Sequence, residues 1–273
     1  MRCIKSTVDN NSDDENSAFP FTKTLANKEY KISLADTPAL VDEVLALRYK
    51  VFNLELHQGL ESSHLTGRDR DKYDEYCDQL IVTDVEINKI VGTYRLHRFD
   101  RALSGHGYYS QAEFNLKNLL DARLKMLEIG RACIDSDYRD GSVMNALWYG
   151  LTRYMQHHNL EYTCGCVSLG VEDTAQTASL IYHYAKENNK LVDEKWRVSP
   201  NQENRVSGFD DNLDIEITSK TKRMLPPLMR GYFAIACKLG GAPAYDHEFG
   251  VIDFFILLRF SDFTDGPGRR FMN

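Results

Sequence analysis

The sequence predicts an α/β fold in which a mixed, largely antiparallel sheet is flanked by helices, and three observations carry that prediction. Apolar residues alternate with period two over 30–34, 78–85 and 90–97, as in half-buried strands. Between the first two of these, Leu40, Val44, Leu47 and Val51 recur at spacings of four, three and four, the signature of one buried helical face. No Gly-x-Gly-x-x-Gly follows the first strand, which excludes a doubly wound dinucleotide fold.

Residues 1–28 are rich in Asn, Asp, Ser and Lys without any period, and are expected to be a mobile tail. YKISL (30–34) is the first strand. Thr37-Pro38 opens the first helix, with Thr as N-cap and Pro at the first helical position; Arg48, Phe52 and Glu55 lie off its apolar face. The polar, charged run from Gln58 to Tyr76 is long enough to be a flap beside a site. DQLIVTDV (78–85) and IVGTYRLH (90–97) form a hairpin, with Arg95 among apolar neighbours in its second strand. Residues 98–111 are loop and 114–124 are expected to be helical. A strand begins at Met126, a polar turn follows at 135–142, and a long amphipathic helix runs on to about Asn159. YTCGCVSL (162–169) is the next strand, and a helix capped by Asp173 or Thr174 extends to about Asn188. Residues 190–220 show no clear pattern. Pro226-Pro227 starts a helix expected to stop at Gly240-Gly241, and VIDFFILLRF (251–260) is the last strand.

The 273 residues suffice for one large domain with a sizeable core. A net charge of −7 argues against a general nucleic-acid partner. The longest purely apolar run, 254–258, is too short to span a bilayer, and the first residues carry no apolar secretion segment. The six cysteines include no Cys-x-x-Cys pair, as expected of small packing residues in a reducing cytoplasm, and no metal site is expected.

The strand from Met126 is the most informative. Glu128 and Arg131 interrupt an otherwise apolar run, and a buried strand rarely carries such charges unless they are paired or at work. The turn after it opens a helix, a natural place for a phosphate. In a regular strand residues 128 and 131 face opposite sides. A β-bulge at 129–131 would bring both to one face and free a backbone N–H.

Several segments resemble a known family. The element order is similar to the GNAT acyltransferase fold. ALRYKVF (46–52), IVGTYRL (90–96) and LEIGRACI (127–134) are similar to acyl-homoserine-lactone synthases and, more closely, to the bacterial L-ornithine N-alpha-acyltransferases of ornithine-lipid synthesis. YCDQLIV (76–82), DYRDGSVMNALWYGL (137–151), PPLMRGY (226–232) and PAYDHEFGVIDFFILL (243–258) also resemble the second family. The resemblance spans about 40–260. It implies a GNAT-like acyltransferase domain over 29–262, with a helix–strand extension from about 220 and a tail from 263. It implies transfer of a (3-hydroxy)fatty acyl group from acyl carrier protein to the α-amino group of ornithine, giving lyso-ornithine lipid. No cofactor is bound permanently; the donor is the phosphopantetheine thioester of the carrier protein. Related readings are acylation of another amino acid such as glycine, formation of an acyl-homoserine lactone, or an acyl- or membrane-binding module on an inactive scaffold. The GNAT turn motif, Arg/Gln-x-x-Gly-x-Gly/Ala, is incomplete here. The chain reads Arg139-Asp-Gly141-Ser142-Val-Met144, without the second small residue, which suits a tethered pantetheine better than free coenzyme A.

Amide formation from a thioester requires a base for the ammonium, a donor for the carbonyl oxygen and a proton for the thiolate. Glu128 is the candidate base, with a structural ion pair to Arg131 or Arg95 as the other reading. The N–H freed by the bulge is the candidate oxyanion donor. Arg48, Arg95 and Arg131 are expected to cluster with Asp78 and Glu128, one arginine taking the substrate carboxylate beside Phe52. The resemblance makes Tyr182 the candidate thiolate donor, and Arg139, Gly141 and Ser142 the phosphopantetheine contacts. The basic run Lys220, Lys222, Arg223 and Arg230 is expected to dock the acidic carrier protein or an anionic inner-membrane surface, in an otherwise cytoplasmic protein.

Overall fold

A computed structural model of the chain describes residues 18–170, 174–213, 216, 218, 222–223 and 225–272. Strands β1 (Phe21–Leu25), β2 (Lys28–Leu34), β3 (Asp78–Asp84), β4 (Lys89–Arg98) and β6 (Met126–Ile134) are antiparallel neighbours in that order. On the far side of β6 the sheet continues through β7 (Tyr162–Ser168), β11 (Val251–Arg259) and β10 (Ala244–Asp246), with β9 (Lys238–Leu239) also paired to β11. Among the described strands, β6 and β7 are the pair that runs parallel. Off the main sheet, β5 (Phe114–Asn115) pairs with β8 (Ser199–Pro200).

Alternation along β3 builds both faces of the sheet. Leu80 and Val82 enter the main core under α4 (Ser142–His157), while Ile81 points to the face covered by α1 (Pro38–Tyr49) with Val44, Leu47 and Val51. The Thr37 side chain caps α1 by accepting from the Leu40 N–H. The helix then loosens into a π-helical turn, Lys50–Glu55, which carries Phe52. Further α-helices among the described residues are α2 (Phe99–Ser104), α3 (Lys117–Asp121), α5 (Ala175–Glu187), α6 (Pro227–Ala234) and α7 (Phe260–Thr264).

Several expectations are corrected. The expected tail over 1–28 includes β1; residues 1–17 lie outside the described part. FTKTL alternates, so Phe21 and Lys23 reach α4, where Arg153 lies 4.0 Å from the Phe21 ring and Lys23 4.5 Å from Tyr149. The expected tail over 263–273 is ordered because Phe263 and Phe271 are buried against each other and against Trp148. The helix expected over 114–124 is instead β5 followed by the short α3. The helix from Pro227 stops at Ala234, not at Gly240-Gly241. Those glycines serve close packing instead: a Cβ on Gly241 would sit 2.2 Å from the Val198 carbonyl oxygen.

Two irregularities position the site. The first is a bulge in β6. Thr93 pairs with Cys133 and Arg95 with Gly130, so Arg131 and Ala132 together oppose Tyr94. The expected bulge is present but one step further along, and the left-handed conformation falls on Arg131 (φ 48°) rather than on the glycine. The second is a splay. β6 and β7 pair only at Met126–Tyr162, Leu127–Thr163 and Glu128–Cys164. Gly165 permits the last close approach, since a Cβ there would lie 2.4 Å from the Ile129 carbonyl oxygen. Beyond it the two strands separate.

Candidate active site

The gap between the parted strands holds a cavity of ≈ 310 Å³. Glu128, Gly130, Arg131 and Ala132 line one wall, Cys166, Ser168, Asp246 and Asp253 another, and Phe52, Tyr94, His97, Tyr109 and Tyr232 close it. A second groove of ≈ 340 Å³ shares Phe52, Leu56 and Ala132 with it. This groove continues past Ile134, Met144 and Leu147 to Arg139 and Gly141 at the start of α4. A mixed-charge chamber therefore opens into an apolar channel.

Glu128 is 5% exposed and is held by the 3-10 turn Tyr109–Ala112. One oxygen accepts from the Tyr109 N–H at 2.7 Å; the other accepts from the Ser110 N–H at 2.8 Å and the Ser110 hydroxyl at 2.5 Å. Among the described residues no ion pair joins Glu128 to an arginine. The His97 Nδ1 is 3.8 Å from Glu128, and neither ring nitrogen of His97 has a hydrogen-bond partner. A buried carboxylate thus has an imidazole beside it, both facing the cavity.

The arginine cluster forms, but with other acids than expected. Arg48 from α1 pairs with Asp69 and Asp74; Arg95 from β4 pairs with Asp71 at 2.6 Å and lies 3.6 Å from Asp74. Arg131 from β6 lies 3.3 Å from Asp71 and 3.5 Å from Asp69. Each arginine bridges two aspartates and each aspartate two arginines, closing a neutral ring of six. All three acids come from the polar run over 58–76, which is therefore pinned to the sheet. The arginines hold the Asp71 carboxyl down to about 2, against the burial that alone would raise it. Of the three arginines, Arg131 faces the cavity most openly, and its Nε makes no hydrogen bond.

Asp78 is not in this cluster. It begins β3 on the α4 face, where it accepts from Arg101 at 2.7 Å and Tyr154 at 2.5 Å. Period-two alternation turns Gln79, opposite Arg95, toward the ring instead; its amide reaches Asp74 at 3.1 Å. Tyr182 lies outside the cavity, edge-on to Phe209. The cavity's own phenols are Tyr94, Tyr109 and Tyr232. Tyr232 hydrogen-bonds Tyr94, and burial pushes the Tyr94 phenol up to about 12, so it stays protonated.

At the turn, Gly141 has φ 96°, which favours glycine. The Ser142 N–H and hydroxyl are both engaged by Asp140, at 2.9 and 2.6 Å, and Ser142 also contacts the Tyr30 hydroxyl at 3.1 Å. Ser142 is thus an internally satisfied helix start. Arg139 bonds the Ile134 carbonyl and Glu55 at the mouth of the apolar groove. Of the basic run, Lys222, Arg223 and Arg230 are exposed and Lys220 lies outside the described residues.

Residues 47–149 match the family model of the acetyltransferase (GNAT) domain. The chain is 33% identical over 247 residues to an L-ornithine N(alpha)-acyltransferase of Rhizobium meliloti (strain 1021), covering 86% of this chain and 80% of that one. It is 31% identical to the protein of the same name from Brucella abortus (strain 2308), over 84% and 83% of the two chains. The chain belongs to the L-ornithine N(alpha)-acyltransferase family. It is accordingly an N-acyltransferase on a GNAT fold. The fold is shared with FeeM, an N-acyl amino acid synthase from uncultured soil microbes (TM-score 0.50, 8% identity, 87% of this chain and 95% of that one). In this acyltransferase the bulge and the splay fall together, which sets Glu128 and Arg131 in the wall of the chamber and Ala132 where chamber and groove meet.

Composition and period could not reveal Asp69, Asp71 and Asp74, because they sit in an irregular run of charges. His97, Tyr109 and Ser110 were equally hidden. The only sequence signal was the alternation that sets His97 and Arg95 on one face of β4.

Proposed function

We propose that this chain transfers a 3-hydroxyacyl group from acyl carrier protein to the α-amino group of ornithine, producing lyso-ornithine lipid. The supporting observation is the junction itself: a chamber with a carboxylate, a guanidinium and further acids opens into an apolar channel of acyl-chain character. The relatives' names supply ornithine as acceptor. Arg131 takes the substrate's α-carboxylate through its cavity-facing guanidinium. Glu128, with His97 beside it, takes the proton from the α-ammonium, directly or through one water. The freed amine attacks the thioester carbon, and the C–S bond breaks as the C–N bond forms. The main-chain N–H groups of Arg131 and Ala132, which fall outside the β4–β6 register at the bulge, donate to the carbonyl oxygen. Tyr94, whose phenol burial keeps protonated beside Tyr232, protonates the leaving thiolate and regains a proton from the acylated nitrogen, which sheds its second proton as the amide forms. The acyl chain and pantetheine follow the channel past Phe52, with Arg139 at its mouth; Lys222, Arg223 and Arg230 offer the acidic carrier protein a docking surface.

The test is turnover of purified protein with 3-hydroxyacyl carrier protein and ornithine, glycine or S-adenosylmethionine, with products read by mass spectrometry. Acyl-ornithine is the expected product. Acyl-glycine or acyl-homoserine lactone as the main product would replace this reading.

A further inference from the structure

The wall of the chamber opposite Arg131 carries charge that the transfer chemistry does not use. Asp253, on β11, is 2% exposed and lines the cavity; its Oδ1 has no hydrogen-bond partner. Glu113 is 3% exposed, and no donor reaches either of its oxygens. Its neighbour is the Asp253 carboxyl, and burial together with neighbouring acids raises both groups above the ordinary carboxylate range. Asp246 completes the group. It also lines the cavity, accepting the Tyr109 hydroxyl at 3.3 Å and the Glu248 and Phe249 N–H groups. None of the three forms an ion pair among the described residues. Buried carboxyls without a cation are costly, and the buried Asp69, Asp84 and Asp135 each have a cation within 4.0 Å.

We propose that Asp253, Glu113 and Asp246 form the subsite for the side-chain ammonium of a basic amino-acid acceptor. Tyr109 sets the spacing. Its ring lies 5.8 Å from the Arg131 guanidinium carbon, and its hydroxyl reaches Asp246, so the cationic and acidic poles stand one tyrosine side chain apart. An amino acid with its carboxylate on Arg131 and a second ammonium three methylenes away spans such a chamber. A neutral side chain of equal length leaves the acids unpaired, and a site built for a polar partner rejects such analogues strongly. The three ligand atoms of Glu113, Cys166 and Asp253 lie within 4.8 Å of one another, which also invites a divalent metal. The Cys166 thiol argues for the ammonium instead: it donates to the Ser110 hydroxyl at 3.3 Å, and burial keeps it neutral.

The inference rests on ornithine as acceptor, yet the two can fail separately. Product analysis decides turnover; binding without any donor decides the subsite. Calorimetry on the full chain should show ornithine preferred over norleucine, its neutral isostere, by about 100-fold or more. In Asp253→Asn and in Glu113→Gln that ratio should fall to about 10-fold or less, as expected when a buried charge partner is lost. Either variant decides the matter if the other does not fold. The Tm of ligand-free Glu113→Gln should rise, because an unpaired buried carboxyl has been removed. A ratio unchanged in the folded variants, or no preference in the wild type, would overturn the subsite. So would zinc or magnesium retained stoichiometrically by the wild type and lost in Glu113→Gln.

Discussion

Two groups of buried charge flank one chamber and are built on opposite principles. In the ring, Arg48, Arg95 and Arg131 meet Asp69, Asp71 and Asp74 one for one, and every charge has two partners. Across the cavity, Glu113, Asp246 and Asp253 form no ion pair among the described residues. The ring fastens a polar loop to the sheet, whereas the acid group leaves room for something from outside. Paired burial marks what holds the fold, and unpaired burial marks what the fold holds open.

The sharpest break in this contrast is Arg48→Ala. It strands Asp69 and Asp74 without their fully buried partner and should cost about 3–5 kcal/mol in urea unfolding. A loss under about 1 kcal/mol would deny the ring its fastening role. Glu128 stands between the two groups, an acid satisfied by N–H and O–H donors rather than by a cation. Glu128→Gln should keep the fold and lower kcat by about 100-fold or more, with little change in KM for the amino acid. Unchanged kcat would remove it as the base.

The two groups should also set opposite pH limbs. The ring holds the Asp71 carboxyl at about 2 and Asp74 below its ordinary value. Their contribution is present above pH 3.8 and is lost as pH falls toward about 2. Burial and the facing Asp253 raise Glu113 instead. Above pH 4.5 the folded protein keeps a proton that the unfolded chain releases, so this group's contribution falls as pH rises. Asp71→Asn should flatten the acid limb of Tm against pH. Glu113→Gln should flatten the alkaline limb, stabilising by about 1 kcal/mol or more at pH 8 and little at pH 5. Limbs that stay unaltered would dissolve the contrast. The smallest effect expected is at the surface. Lys222→Glu with Arg223→Glu should raise the apparent KM for acyl carrier protein several-fold at low salt, with a weaker effect at high salt; no change would free that patch of a docking role.

Most of the sheet was legible from alternation, and α1 from its four-three-four spacing and Thr37 cap. Elements of five residues or fewer, such as β1 and α3, were misread because period needs length. The strand at the centre of the candidate site announced itself, since Glu128 and Arg131 are charges in an apolar run. Their partners did not. The acids of the ring sit in a loop without period, and Glu113 lies between the expected loop over 98–111 and the expected helix from 114, with no pattern to mark it. Asp78 was misassigned by one residue, which in a strand is the difference between two faces of the sheet. The bulge could be expected from the need to bring 128 and 131 together, but not that an arginine would adopt its left-handed turn.

The splay between β6 and β7 has a further meaning. Among the described residues, three residue pairs and the Lys125 carbonyl, which accepts from the Glu161 and Tyr162 N–H groups, join the two half-sheets. The first half contributes Glu128, Arg131 and the apolar groove; the second contributes Asp246 and Asp253. On the roles proposed above, chemistry and acceptor choice lie on separate modules that meet at a seam. Variation over residues 244–253 is then expected to retune which amino acid is acylated while Glu128 and Arg131 of β6 stay in place.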